Sequence, residues 1–387
     1  MMEKVFLKRT SRVLAGHLWV FSNELTSSPR MHGPGSIVEV YDSKETFIGK
    51  GYINPNSLIA VRLLTRQREE INADFFRKRI ADALSYRKRF LPEGVSGRLV
   101  YSEGDFLPGL IVDRYAGCLV VQLLTAGMER QRDILLDLLD EMLSPEMIVL
   151  KNDNQNRTLE GLALEKTVVR GAAGAALSIT EGDICSEVDP MSGQKTGFFL
   201  DQRENRLAFS RLVSGGRGLD LFCYSGAWGL HLARKGAHVT FVDSSEAAIK
   251  QTKSNAEMNA LAGKCAFVKA DVFNFLKREV ASGNKYDFIV LDPPAFVKSK
   301  GKLKEGLRGY REINAMAMSV VSQKGLLATS SCSHHVDKTA FLDMLQHAAK
   351  DAGRNVRVLE LRSQGRDHPV LLSMPETEYL KCAFLVL

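Results

Sequence analysis

The feature that most constrains this chain is a strand–helix alternation that begins at Arg217. Five segments rich in β-branched and apolar residues are RGLDLFCY (217–224), HVTFVD (238–243), CAFVKAD (265–271), YDFIVLD (286–292) and GLLATSSC (325–332). Between them lie stretches of helical period: AWGLHLARKG, SEAAIKQTKSNAEMNAL, VFNFLKREV and REINAMAMSVV. Such alternation specifies a parallel sheet with helices on both faces. A further helix, VDKTAFLDMLQHAAKDAG, leads to a sixth strand, NVRVLELR (355–362). The last strand, YLKCAFLVL (379–387), follows a stretch rich in Pro, Gly and Ser without helical period. A parallel crossover usually needs a helix, whereas an antiparallel neighbour needs only a loop. The seventh strand is therefore predicted to pair antiparallel with the sixth.

The preceding half reads differently. At roughly 100–200 residues per domain, 387 residues suggest two or three domains. Residues 1–72 contain short β-segments, SIVEVYD (36–42) and LIAVRLLT (58–65), bounded by MHGPG and NPN, with no helical period. They are predicted to form a small β-barrel-like domain, basic through Lys4, Lys8, Arg9, Arg12, Arg62, Arg66 and Arg68. Asp74 is a candidate N-cap for the helix FFRKRIADALSYRKRF, with Phe76, Ile80, Ala83 and Leu84 on its apolar face and Arg77, Lys78, Arg79, Arg87, Lys88 and Arg89 elsewhere. Strand candidates RLVYSEGD, GLIVDRY, CLVVQLLT and MIVLKND, with a helix over 129–143, make residues 73–185 an α+β middle module. GAAGAA (171–176) reads as a turn or loosely ordered stretch, and a boundary falls between about 170 and 190. Residues 186–387 form the α/β domain.

Charge separates these parts. The net charge is 52 − 45 = +7, and residues 1–100 carry 17 Lys+Arg against 10 Asp+Glu, leaving 35 against 35 in the remainder. A basic module joined to a neutral one suggests that the first holds a polyanion; a basic face without a ligand is the plainer alternative. No stretch approaches the apolar length needed to span a bilayer, and the N-terminus lacks an apolar signal core. The six cysteines are scattered, with no CxxC pair and no zinc-like spacing. A cytosolic protein with reduced thiols, no structural metal and no membrane partner is expected.

In an open parallel sheet, ligands bind beyond the carboxyl ends of the strands. Those ends carry Asp243, Asp271, Asp292 and Cys332, with a glycine turn, YSG (224–226), after the first strand. A carboxylate at one strand end is commonly just a helix cap, and Asp243 before Ser244–Glu246 could be that; a series of them suggests a site. The first turn, DLFCYSGAWG (220–229), lacks GxGxxG and has no second glycine for a pyrophosphate. This disfavours a dinucleotide, and with it a nicotinamide oxidoreductase. Asp243 is suited to ribose hydroxyls and Asp271 to an adenine amino group. An adenosine without phosphates points to S-adenosylmethionine.

The fourth strand ends in Asp292-Pro-Pro-Ala-Phe and the fifth in Ser331-Cys-Ser; QKTGFFLDQRENR (194–206) precedes the sheet and GHLWVFSNEL (16–25) lies near the N-terminus. With these motifs the whole chain resembles class I S-adenosylmethionine-dependent RNA methyltransferases with an N-terminal PUA domain, notably the bacterial enzymes that form 5-methylcytosine in 23S ribosomal RNA. The resemblance implies a PUA-like domain over 1–72 and a Rossmann-like, seven-stranded catalytic domain over 186–387. It implies that Asp220 and Gly226 line the methionine end of the cofactor, with Gln202 and Arg203 near its amino-acid end; a structural turn is the alternative for that pair. It places Asp292, Pro293, Pro294 and Phe296 at the target base, although Phe296 could equally be core. Lys8 and Arg9 would contact RNA phosphates, and a homodimer is an option it leaves open.

It also makes Cys332 the nucleophile. Carbon 5 of cytosine is too weak a nucleophile to take a methyl group unaided. Thiolate addition at carbon 6 makes carbon 5 enamine-like; after methyl transfer the carbon 5 proton leaves and the thiolate is expelled, which divides one hard step into easier ones. Cys118, Cys185, Cys223, Cys265 and Cys382 read as core residues. His334 and His335 read as polar loop residues. Related cytosine methyltransferases can carry a second cysteine in the fourth-strand motif, where this chain has Ala295, so the proton-abstracting group is unassigned. Methylation of an exocyclic amine or another ring position, and an RNA-binding assembly factor without catalysis, are the alternative functions.

Overall fold

A computed structural model describes residues 3–92, 94–172 and 176–387. Residues 173–175 of the GAAGAA stretch lie outside the described residues. The chain divides into two compact units: residues up to Leu177 with Val188–Leu200 and Arg366–Thr377, and Ser178–Glu187 with Asp201–Gly365 and Glu378–Leu387.

The first unit holds two sheets. One contains β1 (Glu3–Phe6), β2 (Trp19–Val20), β3 (Ser36–Tyr41), β4 (Phe47–Ile53) and β5 (Val61–Thr65), with a one-turn helix α1 (Ser11–Leu14). The strand order is β1-β3-β4-β5-β2, and an antiparallel bridge between Leu7 and Leu25, with Thr26 N donating to the Phe6 carbonyl at 2.8 Å, brings the chain beyond β2 back to β1. β4 was not foreseen, because Gly49 and Gly51 interrupt its apolar pattern. Both glycines face backbone: a Cβ on Gly49 would meet the Thr65 carbonyl and one on Gly51 the Arg62 carbonyl. This close approach occurs where the β4–β5 register shifts between Lys50 and Gly51.

The second sheet has order β10-β9-β8-β7-β6. Its strands are β6 (Gly97–Tyr101), β7 (Leu110–Tyr115), β8 (Cys118–Leu123), β9 (Met147–Asn152) and β10 (Glu165–Arg170), accompanied by α2 (Ala73–Arg87), α3 (Ala126–Arg130) and α4 (Arg132–Leu143). The cap of α2 is Asn72, whose side chain accepts from Phe75 N at 3.1 Å, while Asp74 sits within the first turn. The extended backbone at Asn72 turns its side chain onto the free amides, which Asp74 inside the helix cannot reach.

The basic surface of this unit is narrower than the sequence suggests. Arg62 is buried and its Nη1 lies 2.9 Å from Glu160; Arg12 lies 2.8 Å from Glu24. Arg66 donates to the Val13 carbonyl at 2.6 Å, and Arg87 is buried in an ion pair with Asp105. These cations stabilise the fold by pairing internally. Lys8 and Arg9 are exposed.

In the second unit, β11 (Leu177–Glu181) and β12 (Ile184–Val188) form a small sheet where only a boundary was expected. Then come α5 (Arg203–Ser210), β13 (Arg217–Leu221), α6 (Ala227–Arg234), β14 (His238–Asp243), α7 (Glu246–Met258), β15 (Cys265–Lys269), α8 (Val272–Ala281), β16 (Tyr286–Leu291), α9 (Leu303–Val320), β17 (Val321–Ser331), α10 (Lys338–Asp351), β18 (Arg357–Arg362) and β19 (Lys381–Val386). The seven-stranded order is β15-β14-β13-β16-β17-β19-β18. β13 pairs parallel with β14 and β16, β14 with β15, and β16 with β17. β19 pairs antiparallel with β18, as expected, and also with β17, so the last strand inserts between the fifth and sixth. The order reverses beside β13, the position where such sheets open a ligand crevice.

Helices on the two faces bury separate cores. Leu221, Ile289, Leu327, Ile313 and Phe341 belong to one; Phe209, Trp228, Phe241, Phe288 and Phe384 belong to the other. Gly218 opposes Phe288 in the β13–β16 register, and a Cβ at Gly218 would enter the Phe288 ring. Gly218→Val is therefore expected to cost about 3 kcal/mol through overpacking, lowering the urea midpoint. Gly263→Ala, at a site with open space, is expected to leave that midpoint within error.

Candidate active site

The turn after β13 is built from strained backbone. Phe222 (φ 62°), Tyr224 (φ 48°) and Gly226 (φ 79°) all occupy the left-handed region, which is uncommon for aromatic residues. The surroundings hold them there. Phe222 N and Cys223 N both donate to the Val242 carbonyl, at 3.0 and 3.2 Å. Tyr224 N donates to Asp243 Oδ2 at 3.1 Å, and the carbonyls of Tyr224 and Ser225 accept from Thr252 Oγ1 at 2.8 Å and Asn255 Nδ2 at 2.9 Å. At Gly226 a Cβ would also strike the Thr252 methyl group, so glycine is needed for both conformation and space. α6 starts directly afterwards.

Three carboxylates gather around this turn. Asp220 is 1% exposed; its Oδ2 accepts from Gly229 N at 2.8 Å, and its Oδ1 has no partner among the described residues. Burial pushes the Asp220 pKa up to about 7, with the negative charges of Asp292 and Asp243 adding to the effect and the Gly229 N–H opposing it. Asp243, half-buried at the end of β14, also accepts from Ser245 N at 2.9 Å, but the cap of α7 is Ser245, whose side chain accepts from Ala248 N at 3.2 Å. Asp292 follows β16. Its carboxylate accepts from Gln202 Nε2 at 3.1 Å to each oxygen and from Trp228 Nε1 at 3.1 Å. Gln202 Nε2 also lies 3.1 Å from Ser330 Oγ, and its carbonyl oxygen accepts from Asn205 Nδ2 at 2.6 Å. Gln202 thus ties the ends of β16 and β17 to the start of α5.

A buried acceptor without a donor among the described residues, beside carboxylates that repel its ionised form, suits a cation. The sulfonium and ammonium groups of S-adenosylmethionine fit that requirement. Asp271 is exposed and caps α8 by accepting from Asn274 N at 2.9 Å.

Cys332 lies one residue past β17, on the strand next to the one that leads to Asp292. It is partly exposed, between Ser331 (0%) and Ser333 (1%). Ser333 Oγ accepts from Val297 N at 3.2 Å and lies 3.0 Å from Tyr310 Oη. The Tyr310 hydroxyl also accepts from Phe296 N at 3.3 Å, so the DPPAF turn and the cysteine loop are fastened together. Phe296 is half-buried, 4.5 Å from the Tyr310 ring and 6.0 Å from the Phe273 ring, centroid to centroid. Pro293 is buried and Pro294 exposed.

Among the other thiols, burial pushes Cys118 and Cys382 up to about 12 and Cys265 to about 11. Cys185 and Cys265 are only partly buried, which departs from their reading as core. Arg203 is buried at the start of α5. Lys8 and Arg9 belong to the first unit and are not part of this cluster. The sequence reading passed over Trp228, Ser330, Tyr310 and Lys381. Only the lysine within an otherwise apolar strand carried a recognisable signal.

The raised Asp220 pKa has a consequence for stability. Between an ordinary 3.8 and about 7 the unfolded carboxyl ionises while the native one stays protonated. Stability present below pH 4 is therefore lost as pH rises through 7. Asp220→Asn removes that loss. Its stability relative to the parent chain is expected to rise by on the order of 3 kcal/mol from pH 4 to pH 8, measured by urea unfolding. A flat difference across that range would refute the buried-acid assignment.

Residues 4–66 match the family described as PUA-like domain, and residues 204–356 match conserved hypothetical protein 95. Ribosomal RNA large subunit methyltransferase I from Photobacterium profundum is 39% identical over 375 residues, 94% of each chain. The protein of the same name from Aeromonas hydrophila is 38% identical over 380 residues, 96% of each chain. A candidate SAM-dependent methyltransferase from Streptococcus mutans superposes with a TM-score of 0.86 at 21% identity, covering 100% of both chains. A methyltransferase structure complexed with SAH gives 0.87 at 21% identity, again covering 100% of both. At that identity the structures speak for the fold. The sequence relatives go further: the chain belongs to the ribosomal RNA large subunit methyltransferase I family, SAM-dependent enzymes with a PUA-like domain.

Proposed function

We propose that this enzyme methylates carbon 5 of a cytosine in large-subunit ribosomal RNA, with Cys332 as the covalent nucleophile. The carrying observation is the partly exposed Cys332 on a loop tied through Tyr310 and Ser333 to the DPPAF turn. The names of the relatives support the large ribosomal subunit RNA as substrate. In this reading the PUA-like module spans 1–72, the middle module 73–185 and the catalytic domain 186–387, and the enzyme works in the cytoplasm.

Asp220 and Gly226 hold the methionine end of S-adenosylmethionine, Asp243 its ribose and Asp271 its adenine, with Gln202 and Arg203 near the amino-acid end. Bound S-adenosylmethionine supplies an electrophilic methyl group. The thiolate of Cys332 adds to carbon 6, and carbon 5 gains electron density. Asp292, fixed by Gln202 and Trp228, accepts from the amino edge of the base or from a protonated ring nitrogen as addition proceeds. Once carbon 5 has lost its proton, the carbon–sulfur pair returns to Cys332. Pro293, Pro294 and Phe296 border the base, which must be unstacked before it reacts. Lys8 and Arg9 neutralise phosphates, so binding weakens with salt.

Cys332→Ala is expected to lower methylation by about 10³-fold or more and to abolish the adduct trapped with 5-fluorocytidine RNA. Retained methylation by this variant would shift the target to an exocyclic amine or another ring position. Asp243→Ala is expected to weaken S-adenosylmethionine about 10- to 100-fold by calorimetry, the loss of charge-assisted hydrogen bonds to ribose. Unchanged affinity would remove Asp243 from the cofactor site.

A further inference from the structure

The last strand enters the sheet with a charged residue. Lys381 is the first residue of β19 and pairs with Ser331, the last residue of β17. It is 2% exposed. Burying an ammonium is unfavourable unless something compensates it. Its hydrogen bonds go to neutral acceptors: Nζ donates to the Ser333 carbonyl at 2.7 Å and to the Tyr379 carbonyl at 2.8 Å. The first of these fixes the backbone immediately after Cys332.

The charges around Lys381 rank clearly. Burial pushes its pKa down to about 8, and the negative charge opposing this most strongly is Cys332, ahead of Glu378 and Asp337. Glu378 is already paired with Lys338 at 2.6 Å, and Asp337 caps α10 through Ala340 N at 2.8 Å. Tyr310, bonded to Ser333 Oγ, faces the same thiol, and His334 stacks on Tyr379. Ionised, the sulfur of Cys332, one residue before the carbonyl that Lys381 holds, would be the charge that most offsets the burial of the lysine.

We propose that Lys381 is the positioning residue for Cys332: it fixes the loop that carries the thiol and supplies the positive charge beside which the sulfur anion forms. This rests on Cys332 being the nucleophile. Below its pKa of about 8, Lys381 keeps its proton through the cycle. The thiol proton leaves to solvent. A sulfur lone pair then forms the bond to carbon 6 as the carbon 5–carbon 6 π pair shifts to carbon 5, which would take the methyl group that S-adenosylmethionine supplies, the pair of the broken sulfonium–methyl bond going to the departing neutral thioether. When a base takes the carbon 5 proton, that C–H pair restores the double bond, and the sulfur–carbon pair returns to sulfur next to the ammonium. The lysine raises the thiolate fraction at neutral pH and favours its expulsion.

The test is the pH dependence of iodoacetamide alkylation at Cys332, read by peptide mass mapping in the parent enzyme, Lys381→Met and Lys381→Arg, beside RNA methylation and cofactor calorimetry. The parent inflection is expected below the ordinary thiol value of about 8.5. Lys381→Met should raise it by about one unit, a tenfold loss of thiolate at neutral pH, and slow methylation about tenfold while cofactor affinity holds. Lys381→Arg should keep the low inflection. An unmoved inflection in folded Lys381→Met overturns the proposal. If that variant does not fold, a parent inflection at or above about 8.5 overturns it. A shifted inflection together with full methylation by Cys332→Ala would overturn the nucleophile reading, and the positioning role with it, while leaving the charge pair in place.

Discussion

Parallel pairing of β13, β14, β15, β16 and β17 sends every strand of that set in one direction. Their carboxyl ends therefore share one edge. Asp220, Asp243, Asp292 and Cys332 come from segments far apart in sequence, and parallel register brings them to that edge. The strand order reverses beside β13, the position at which open α/β sheets bind their ligands. The strained turn through Phe222, Tyr224 and Gly226 follows β13 at that position, held by Val242, Asp243 and Thr252.

Electrostatic conflict is concentrated at the same edge. Asp220 is buried with one oxygen unpaired, and the neighbouring Asp243 and Asp292 repel its ionised form. Asp292 accepts from the Gln202 amide and the Trp228 indole, and its charge is felt by the buried Arg206 guanidinium. Such an arrangement disfavours the empty site and favours a cationic ligand. Around Cys332 the proposed sign is reversed, because the buried ammonium of Lys381 donates to the neutral carbonyls of Ser333 and Tyr379. The carboxylate cluster and the lysine thus set opposite local potentials, one suited to a sulfonium and the other to a thiolate.

The first unit resolves its charge differently. Arg12, Arg62 and Arg87 are consumed by Glu24, Glu160 and Asp105. The cations left in water, including Lys8 and Arg9, are the ones that remain to meet a polyanion. A count of basic residues along the chain could not separate these groups, since burial decides which charge is neutralised by the fold.

The sequence alone determined the alternation of strands and helices, the antiparallel final strand, the absence of a dinucleotide turn, and the residues at the strand ends. Each of these is carried by local spacing: apolar period, loop length and glycine position. Tertiary structure decided what depends on distant segments. β19 lies between β17 and β18, where hydrogen bonding to both neighbours fixes it. The hairpin β11–β12 and strand β4 were hidden by short length and by glycine. Asn72 displaced Asp74 as a cap through backbone conformation. Gln202 met Asp292, and Lys381 met the loop of Cys332, only once the sheet had assembled, because a hydrogen bond between residues 90 or 48 positions apart has no local signature.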